Sequence, residues 1–383
     1  MNKLGKKLMI AGLCACMATA ALGGCRPKAD TAIATLDGVE VPYGVASFMV
    51  RYSQAQMQTM YGSYLGDSYW SSYGESTRDS MMETLEEMLI LEQHMEEYDV
   101  TISDEEKSQI TEAAKAFVES NDDEVLKAMA VDQETVERAL TLYTVQTKMR
   151  AAIIKDVDTE VSDEEAAQKT IQYAVFSTAG TTDEDGNTTE MTDEEKAQVK
   201  DQAQQVLDLV KSGQDLESAL QTVDEDKTPS TASYGTDNGS IADEVKEAAD
   251  KLSDGECADS LVETDDGYYV VVMESTFDED ATESQKQTIV SQRQSDKFDE
   301  VYEAWKEEAK FQQNDKVVEK MNFQDIYEMK VEETEATEAT DQTEETAETA
   351  ETAEETAVES ESESQSETQQ EAQTESAAQT EAE

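Results

Sequence analysis

The sequence predicts an α+β protein: a helical body built from both ends of the folded region, an inserted β-α-α-β-α-β-β domain, and a disordered acidic tail. Three observations lead there. A hydroxyl residue followed three places on by Glu recurs at Ser103–Glu106, Ser162–Glu165 and Thr192–Glu195, with two acids between. That is the capping box: the hydroxyl accepts from the third helical amide, the Glu reaches back, and the acids suit the positive helix end. From Thr170 to Phe176 the composition turns β-branched and aromatic, and strand signals alternate with helical ones as far as Ser275. Residues 331–383 hold 19 Asp+Glu, no Lys or Arg and no aromatic side chain. Such a segment cannot bury enough apolar surface to offset the entropy of ordering it.

In chain order, Lys3, Lys6 and Lys7 precede an apolar run from Leu8 to Leu22. At about 15 residues it falls short of the ~20 that a spanning helix needs, which is the pattern of a secretory signal. Residues 31–42 read as a hairpin, with Ile33 and Leu36 before Asp37-Gly38 and Val39 and Val41 alternating after it. A helix follows near Tyr43–Met60, and Tyr61–Gly74, rich in Gly, Ser and Tyr, reads as a loop. Met81, Leu85, Met88, Leu89 and Met95 make Asp79–Tyr98 an amphipathic helix. The capping phrases open helices at roughly 103–120, 162–169 and 192–212. Another helix, about 132–155, carries Val136, Leu140 and Tyr143 on one face and Leu142, Val145, Met149 and Ile153 on the next, which implies burial on two sides.

The inserted domain reads as a strand at 170–176, helices near 194–211 and 214–223, and a short strand at 233–235. A helix near 243–252 follows, then strands at 258–264 and 268–275 joined by an Asp265-Asp266-Gly267 turn. A long helix, about 283–313, closes the folded part. Its stripe of Phe298, Val301, Tyr302 and Trp305 has no partner in the small domain, so it is expected to return to the N-terminal helices.

Charge narrows the function. Against 89 Asp+Glu the chain of 383 residues has 29 Lys+Arg, a net charge of −60, and residues 25–330 alone carry −44. A field of that sign repels phosphates and excludes nucleic-acid binding. One His and four Cys leave neither a His-rich metal site nor a disulfide scaffold. That His94 lies among Glu92, Gln93, Glu96 and Glu97 and is expected to face solvent. Asp183–Asn187 lacks the ligand spacing of an EF-hand, and there is no glycine-rich phosphate loop, so no metal and no cofactor are expected.

Two resemblances add to this reading. Leu22-Gly23-Gly24-Cys25, with Arg26-Pro27-Lys28 beyond it, resembles the lipobox of bacterial lipoproteins. It implies that residues 1–24 are a signal, that Cys25 is diacylated, and that residues 25–30 tether the chain to a membrane on its extracytoplasmic side. A Cys near an ordinary cleavage site is the alternative. Cys257 then remains as the one free thiol, which reads as a small core residue.

The second covers about residues 31–328. Ala34–Val41 resembles the opening hairpin of the PrsA/SurA-like extracytoplasmic foldases, and Val161–Glu165 the lead-in to their inserted isomerase domain. Lys211–Leu220 is similar to the Gly-linked helix pair of parvulins, and Asn238–Ala249 followed by Leu252–Glu256 to their segment ending in Leu-x-x-Gly-Glu. Gly267–Val272 sits where parvulins have Gly-Tyr-His and a final strand. The resemblance implies a SurA-N-like helical chaperone domain at 31–169, a parvulin-like peptidyl-prolyl isomerase domain at 170–276, a rejoining C-terminal helix in 277–330 and the tail at 331–383. It also implies unfolded or partly folded secreted polypeptides as partners.

The sequence departs from that pattern where the chemistry sits. The two histidines of the parvulin pocket are Tyr173 and Tyr269 here, its Met and Phe are Ile241 and Val245, and its acidic or Cys position is either Asp224 or Asp226. Isomerisation needs no covalent step, only tighter binding of the twisted amide against a barrier of ~18–20 kcal/mol. Tyrosine hydroxyls can donate and accept, as an imidazole pair can. Two outcomes stay open: retained isomerisation, or a parvulin-type fold that only binds peptide. For client contact, Met49–Tyr73 offers Met49, Met57 and Met60 with Tyr52, Tyr61, Tyr64, Tyr69, Trp70 and Tyr73. Thioethers and amphipathic rings suit an adaptable surface, and the same residues at helical spacing suit a core. The loop portion, with Tyr64, Tyr69 and Trp70, is the candidate.

Overall fold

The structure, a computed structural model, describes residues 17–19, 27–62, 69–182, 188–236, 239, 241–321, 323, 325 and 327–329. Cys25, Tyr64, the acidic turn 183–187, the tail and most of the expected signal lie outside the described residues. Within that signal, β1 (Met17–Thr19) runs antiparallel to Tyr327–Met329.

β2 (Ala32–Leu36) and β3 (Val39–Pro42) form the expected hairpin. Asp37 and Gly38 both take positive φ, 50° and 84°, as a two-residue turn of the I′ type requires. Pro42 then caps α1 (Tyr43–Tyr61). The loop expected at Tyr61–Gly74 is shorter than its composition suggests, because α2 (Tyr69–Gln93) already begins at Tyr69. Packing decides this. Trp70 Nε1 donates to Gln58 Oε1 (2.9 Å), and its ring stacks on Phe323 (5.5 Å, 6°). Gly74 lets that ring lie against the helix: a Cβ there would meet Phe323 at 2.6 Å.

A 3₁₀ turn (Met95–Tyr98) leads to α3 (Asp104–Ser120), α4 (Asp123–Met129) and α5 (Gln133–Ile153). The capping box at Ser103 is complete in both directions. α4 escapes the sequence reading because seven residues show no periodicity. On α5, Val136, Leu142, Val145, Met149 and Ile153 are buried, with Leu140 and Tyr143 packed at the margin, and its neighbours are α1, α2 and α3. The two-sided burial is as expected. The second capping phrase opens only α6 (Asp163–Ala166), not a helix to 169. Ser162 Oγ accepts from Glu165 N, but the Glu165 carboxylate turns to Arg293 instead of back to the cap.

The inserted region comprises β4 (Lys169–Ser177), a small ribbon β5 (Thr181–Thr182) and β6 (Thr188–Thr189), α7 (Asp193–Lys211), α8 (Leu216–Val223), β7 (Ser230–Tyr234), α9 (Asp243–Ala249), β8 (Val262–Thr264) and β9 (Gly267–Ser275). Four strands pair antiparallel in the order β7-β4-β9-β8. β8 starts at Val262 rather than 258; before it, Cys257 makes a lone bridge to Val272. Strand alternation divides the region into two cores. Ala174, Phe176 and Val270 pack under α7 and α8, while Ile171, Val271 and Met273 pack under α9.

α10 (Glu279–Glu308) returns to the helical body, as its stripe requires. Phe298 and Tyr302 are buried in the main core, each burial contributing about 1.5–3 kcal/mol. Arg150 of α5 lies over the Phe298 ring (4.6 Å). The helix ends at Glu308, short of the expected 313. Beyond it β10 (Phe311–Gln313) finds hydrogen-bond partners on the open edge of β2. α11 (Asp315–Val318) and β11 (Tyr327–Met329) complete the body. His94 is half-buried, only partly facing solvent: its ring stacks on Trp305 (4.1 Å, 6°), and Nδ1 lies 2.5 Å from Glu97 Oε1. The wide apolar stripe of α10 has claimed it. Among the described residues no helix is long and apolar enough to cross a membrane.

Where the chain leaves the body and re-enters it, the two passages are clamped. Arg293 Nη1 donates to the carbonyls of Asp158 and Glu160 (both 3.2 Å), and its Nη2 to Glu165 (2.6 Å). Lys286 pairs with Asp163 (2.7 Å), and Thr170 Oγ1 donates to Asp278 Oδ2 (2.7 Å). Arg293→Ala removes three of these bonds. A half-exposed cluster of that kind is worth on the order of 1 kcal/mol. Cleavage after Glu160 or Glu165 by a glutamate-specific protease is expected to speed up several-fold, and unchanged cleavage would show that the clamp does not hold the passage.

Candidate functional site

The two tyrosines that the resemblance sets at the parvulin histidine positions, Tyr173 and Tyr269, meet on one face of the sheet. β4 pairs with β9 so that Val175 opposes Tyr269 and Tyr173 opposes Val271. Tyr173 and Tyr269 are therefore diagonal neighbours, close enough for aromatic side chains to touch. Their rings are 5.9 Å apart at 27°. Both are half-buried, and both rest on the core beneath α9. The turn ahead of β9 fixes their register: Gly267 takes φ 141°, and a Cβ there would come within 2.2 Å of the Phe176 carbonyl oxygen.

Burial, then the negative charge of Asp266 and the neighbouring Tyr173, holds the Tyr269 hydroxyl above the ordinary tyrosine range, with Thr264 acting the other way. Tyr269 is thus a neutral hydroxyl, able to donate as well as accept. Of the two wall residues, Ile241 is half-exposed beside the pair. Val245 is wholly buried, so it supports the floor and does not meet a ligand. That corrects its assignment to substrate binding, and the cause is the α9 stripe, which turns Val245 and Ala249 into the sheet.

Asp224 and Asp226 are not brought to the pair. They occupy the turn after α8, where Asp226 N donates to Asp224 Oδ1 (3.3 Å) and Lys227 Nζ lies 5.2 Å over the Phe176 ring, on the other face of the sheet. A polar network that sequence reading missed lies under the site instead. Tyr234 Oη donates to Asp250 Oδ1 (3.0 Å), which also accepts from Lys169 Nζ (2.8 Å). Burial pushes the Asp250 carboxyl up, but those two donors outweigh it and hold the group below the usual range. Partners 16 and 81 positions apart carry no local signal of such pairing.

Two clefts among the described residues lie away from the tyrosine pair. One, of about 580 Å³, opens on the α7–α8 side between Gln172, Lys211, Leu216 and Cys257. Another, of about 390 Å³, lies in the body between Tyr98, Ile153 and Lys297. Tyr173 and Tyr269, both half-buried, form an aromatic shelf on their face of the sheet. Among the described residues no three His, Cys, Asp or Glu side chains gather as a metal-binding group.

In the body, Trp70 is 3% exposed and bound to Gln58 and Phe323, so it serves the fold and is withdrawn from client contact. Tyr69 is half-buried against Tyr73 (4.9 Å) and remains at the surface.

Residues 182–275 match the family model of the rotamase, or PPIC-type PPIase, domain. The chain therefore carries a parvulin-type domain, and the matched segment includes Ile241, Val245 and Tyr269, whereas Tyr173 precedes it. Among solved structures, the chain is similar to a peptidylprolyl isomerase (PrsA) from Bacillus cereus, at 16% identity over 61% of this chain and 84% of that one, TM-score 0.27. It is similar also to PrsA from Bacillus anthracis, at 17% identity over 58% of this chain and 96% of that one, TM-score 0.24. A third is the foldase protein PrsA from Streptococcus pneumoniae, at 20% identity over 58% and 82%, TM-score 0.24. Comparison with curated protein sequences gave no match.

Proposed function

We propose that this chain is an extracytoplasmic protein-folding factor, held to a membrane by lipid on Cys25, that binds unfolded secreted polypeptides and isomerises their Xaa-Pro bonds at the Tyr173–Tyr269 shelf. The observation that carries the reading is the pair of half-buried, stacked tyrosines beside the α9 core of a parvulin-type domain, with a neutral Tyr269 hydroxyl. An amide loses its resonance as it twists, and its nitrogen becomes a better acceptor. A donor fixed beside it binds the twisted form more tightly than the planar one and lowers the barrier by that difference. The anchor rests on the Leu22-Gly23-Gly24-Cys25 box behind its basic, apolar leader.

A second reading has its own observation. With tyrosines in place of both histidines and Val245 buried, the shelf lacks the family's imidazole pair and deep wall, and so favours peptide binding without catalysis. One sample separates the two: full-length chain in detergent micelles, assayed for Xaa-Pro isomerisation without a coupling protease and for suppression of client aggregation. Faster isomerisation is the expected result. Suppression without acceleration would favour binding alone, and failure of both would sink the folding-factor reading.

A further inference from the structure

Of the large apolar side chains that stand exposed among the described residues, three come from the end of α1 and the start of α2: Met60 (69% exposed), Tyr61 (44%) and Tyr73 (49%). Tyr69 lies against Tyr73 (4.9 Å), and the Trp70–Gln58 hydrogen bond ties the two helices together. Along α2, Tyr69, Tyr73, Ser76, Ser80 and Glu83 follow at spacings of four, three, four and three, so they form one outward stripe. At about 1.5 Å per residue, Glu83 stands roughly 15 Å beyond Tyr73. An extended chain covers that distance in about five residues.

The far end of the stripe is acidic. Burial, and after it the negative charges of Glu83 and Glu303, hold the Glu86 carboxyl there above its usual range, with Lys306 opposing them. Nearer the tyrosines, Glu75 and Asp79 share one cation, Arg78. An apolar patch leading into negative potential selects its occupant by charge. A second copy of the chain, at −60, would be repelled, and so would its own tail, which has no Lys or Arg.

We propose that this stripe binds extended cationic segments of unfolded polypeptides, seating an aromatic or aliphatic side chain among Met60, Tyr61, Tyr69 and Tyr73 and a Lys or Arg about five residues along at Glu83. The inference rests on the folding-factor reading and adds to it the chemistry of the client. The seat also offers a Tyr73 ring face to a second cation.

The test uses the full chain and two unstructured, labelled peptides of equal apolar content. Each has one Phe, followed five positions on by a Lys pair in one peptide and by a Glu pair in the other. Fluorescence anisotropy at 0.15 M salt reads the affinities. The Lys peptide is expected to bind about tenfold more tightly, a difference of about 1.4 kcal/mol. Glu83→Lys is expected to remove most of that preference, and Tyr73→Ser to weaken both peptides several-fold. Both positions are exposed, and circular dichroism checks that the variants fold. A preference that survives Glu83→Lys overturns the proposal by placing the attraction elsewhere, the tail included. So does a Tyr73→Ser variant that binds both peptides as tightly as the wild type. If neither peptide binds, or the two bind equally, while aggregation is still suppressed, the stripe assignment falls and the folding-factor reading stands. Loss of peptide binding and of aggregation suppression together would remove both.

Discussion

Phe117→Ala is expected to lower the stability of the helical body by about 3–5 kcal/mol. Phe117 on α3 has no exposed surface, and its ring meets Phe48 of α1 edge-on at 5.2 Å and 89°. Phe48 in turn stacks on Tyr52 (5.6 Å). Truncation forfeits the transfer energy of the ring and leaves a hole that α1, α3 and α5 cannot close without breaking their other contacts. Domains are stable by only about 5–15 kcal/mol, so the loss is a large share of the total. The chain's two tryptophans, Trp70 and Trp305, both belong to the body, so intrinsic tryptophan fluorescence follows its unfolding separately from the inserted domain. The urea midpoint read that way should fall sharply with an unchanged slope. A loss below about 1 kcal/mol would mean that the Phe48–Phe117 contact is not the centre of the core.

Such a core was readable in advance where periodicity is long. α5 spans 21 residues, and its two apolar faces announced burial on both sides. The stripe on α10 likewise had to leave the small domain, because nothing there could cover Phe298 and Tyr302. The Asp37-Gly38 turn was legible from two residues, since that dipeptide tolerates the positive φ that a tight hairpin demands. What failed was local reading of segments whose structure is set at a distance. Tyr69–Gly74 looks like a loop by composition, yet Phe323, some 250 positions on, packs against Gly74 and Trp70 and holds them helical. Phe311–Gln313 continues a helical pattern, yet the open edge of β2 captures it.

The candidate site was legible only as far as the register of β4 and β9. Gly267-Tyr268-Tyr269 placed one tyrosine, and the strand at 170–176 the other, and pairing brought them to one face. Depth was not legible. Val245 and Ile241 lie four residues apart on and beside α9, but one turns into the core and the other stays at the rim, a distinction that depends on how the helix sits on the sheet. The support from Tyr234, Asp250 and Lys169 was invisible for the same reason, because three separate elements supply it.

Tyr269→Phe is expected to cut Xaa-Pro isomerisation by roughly 100-fold, the lower end of the ~100–1,000-fold lost when one oriented donor to a transition state is removed. The ring and its stack on Tyr173 remain in this variant, so the sheet, the peptide shelf and peptide affinity should change little, and the loss should appear in turnover and not in binding. The wild-type pH profile carries the same chemistry. An imidazole pair would change protonation near pH 6.5 and print an inflection there. The Tyr269 pKa is raised above the ordinary value of about 10, chiefly by burial, so its donor proton is retained as pH rises and is lost only beyond that value. Activity should therefore run flat from about pH 5 to pH 9. His94, the chain's one histidine, is stacked on Trp305 in the body, away from the shelf. An inflection near 6.5, or full turnover in the Phe variant, would place the chemistry away from Tyr269. A flat profile together with the loss would establish that a hydroxyl proton, and not an imidazole, stabilises the twisted amide.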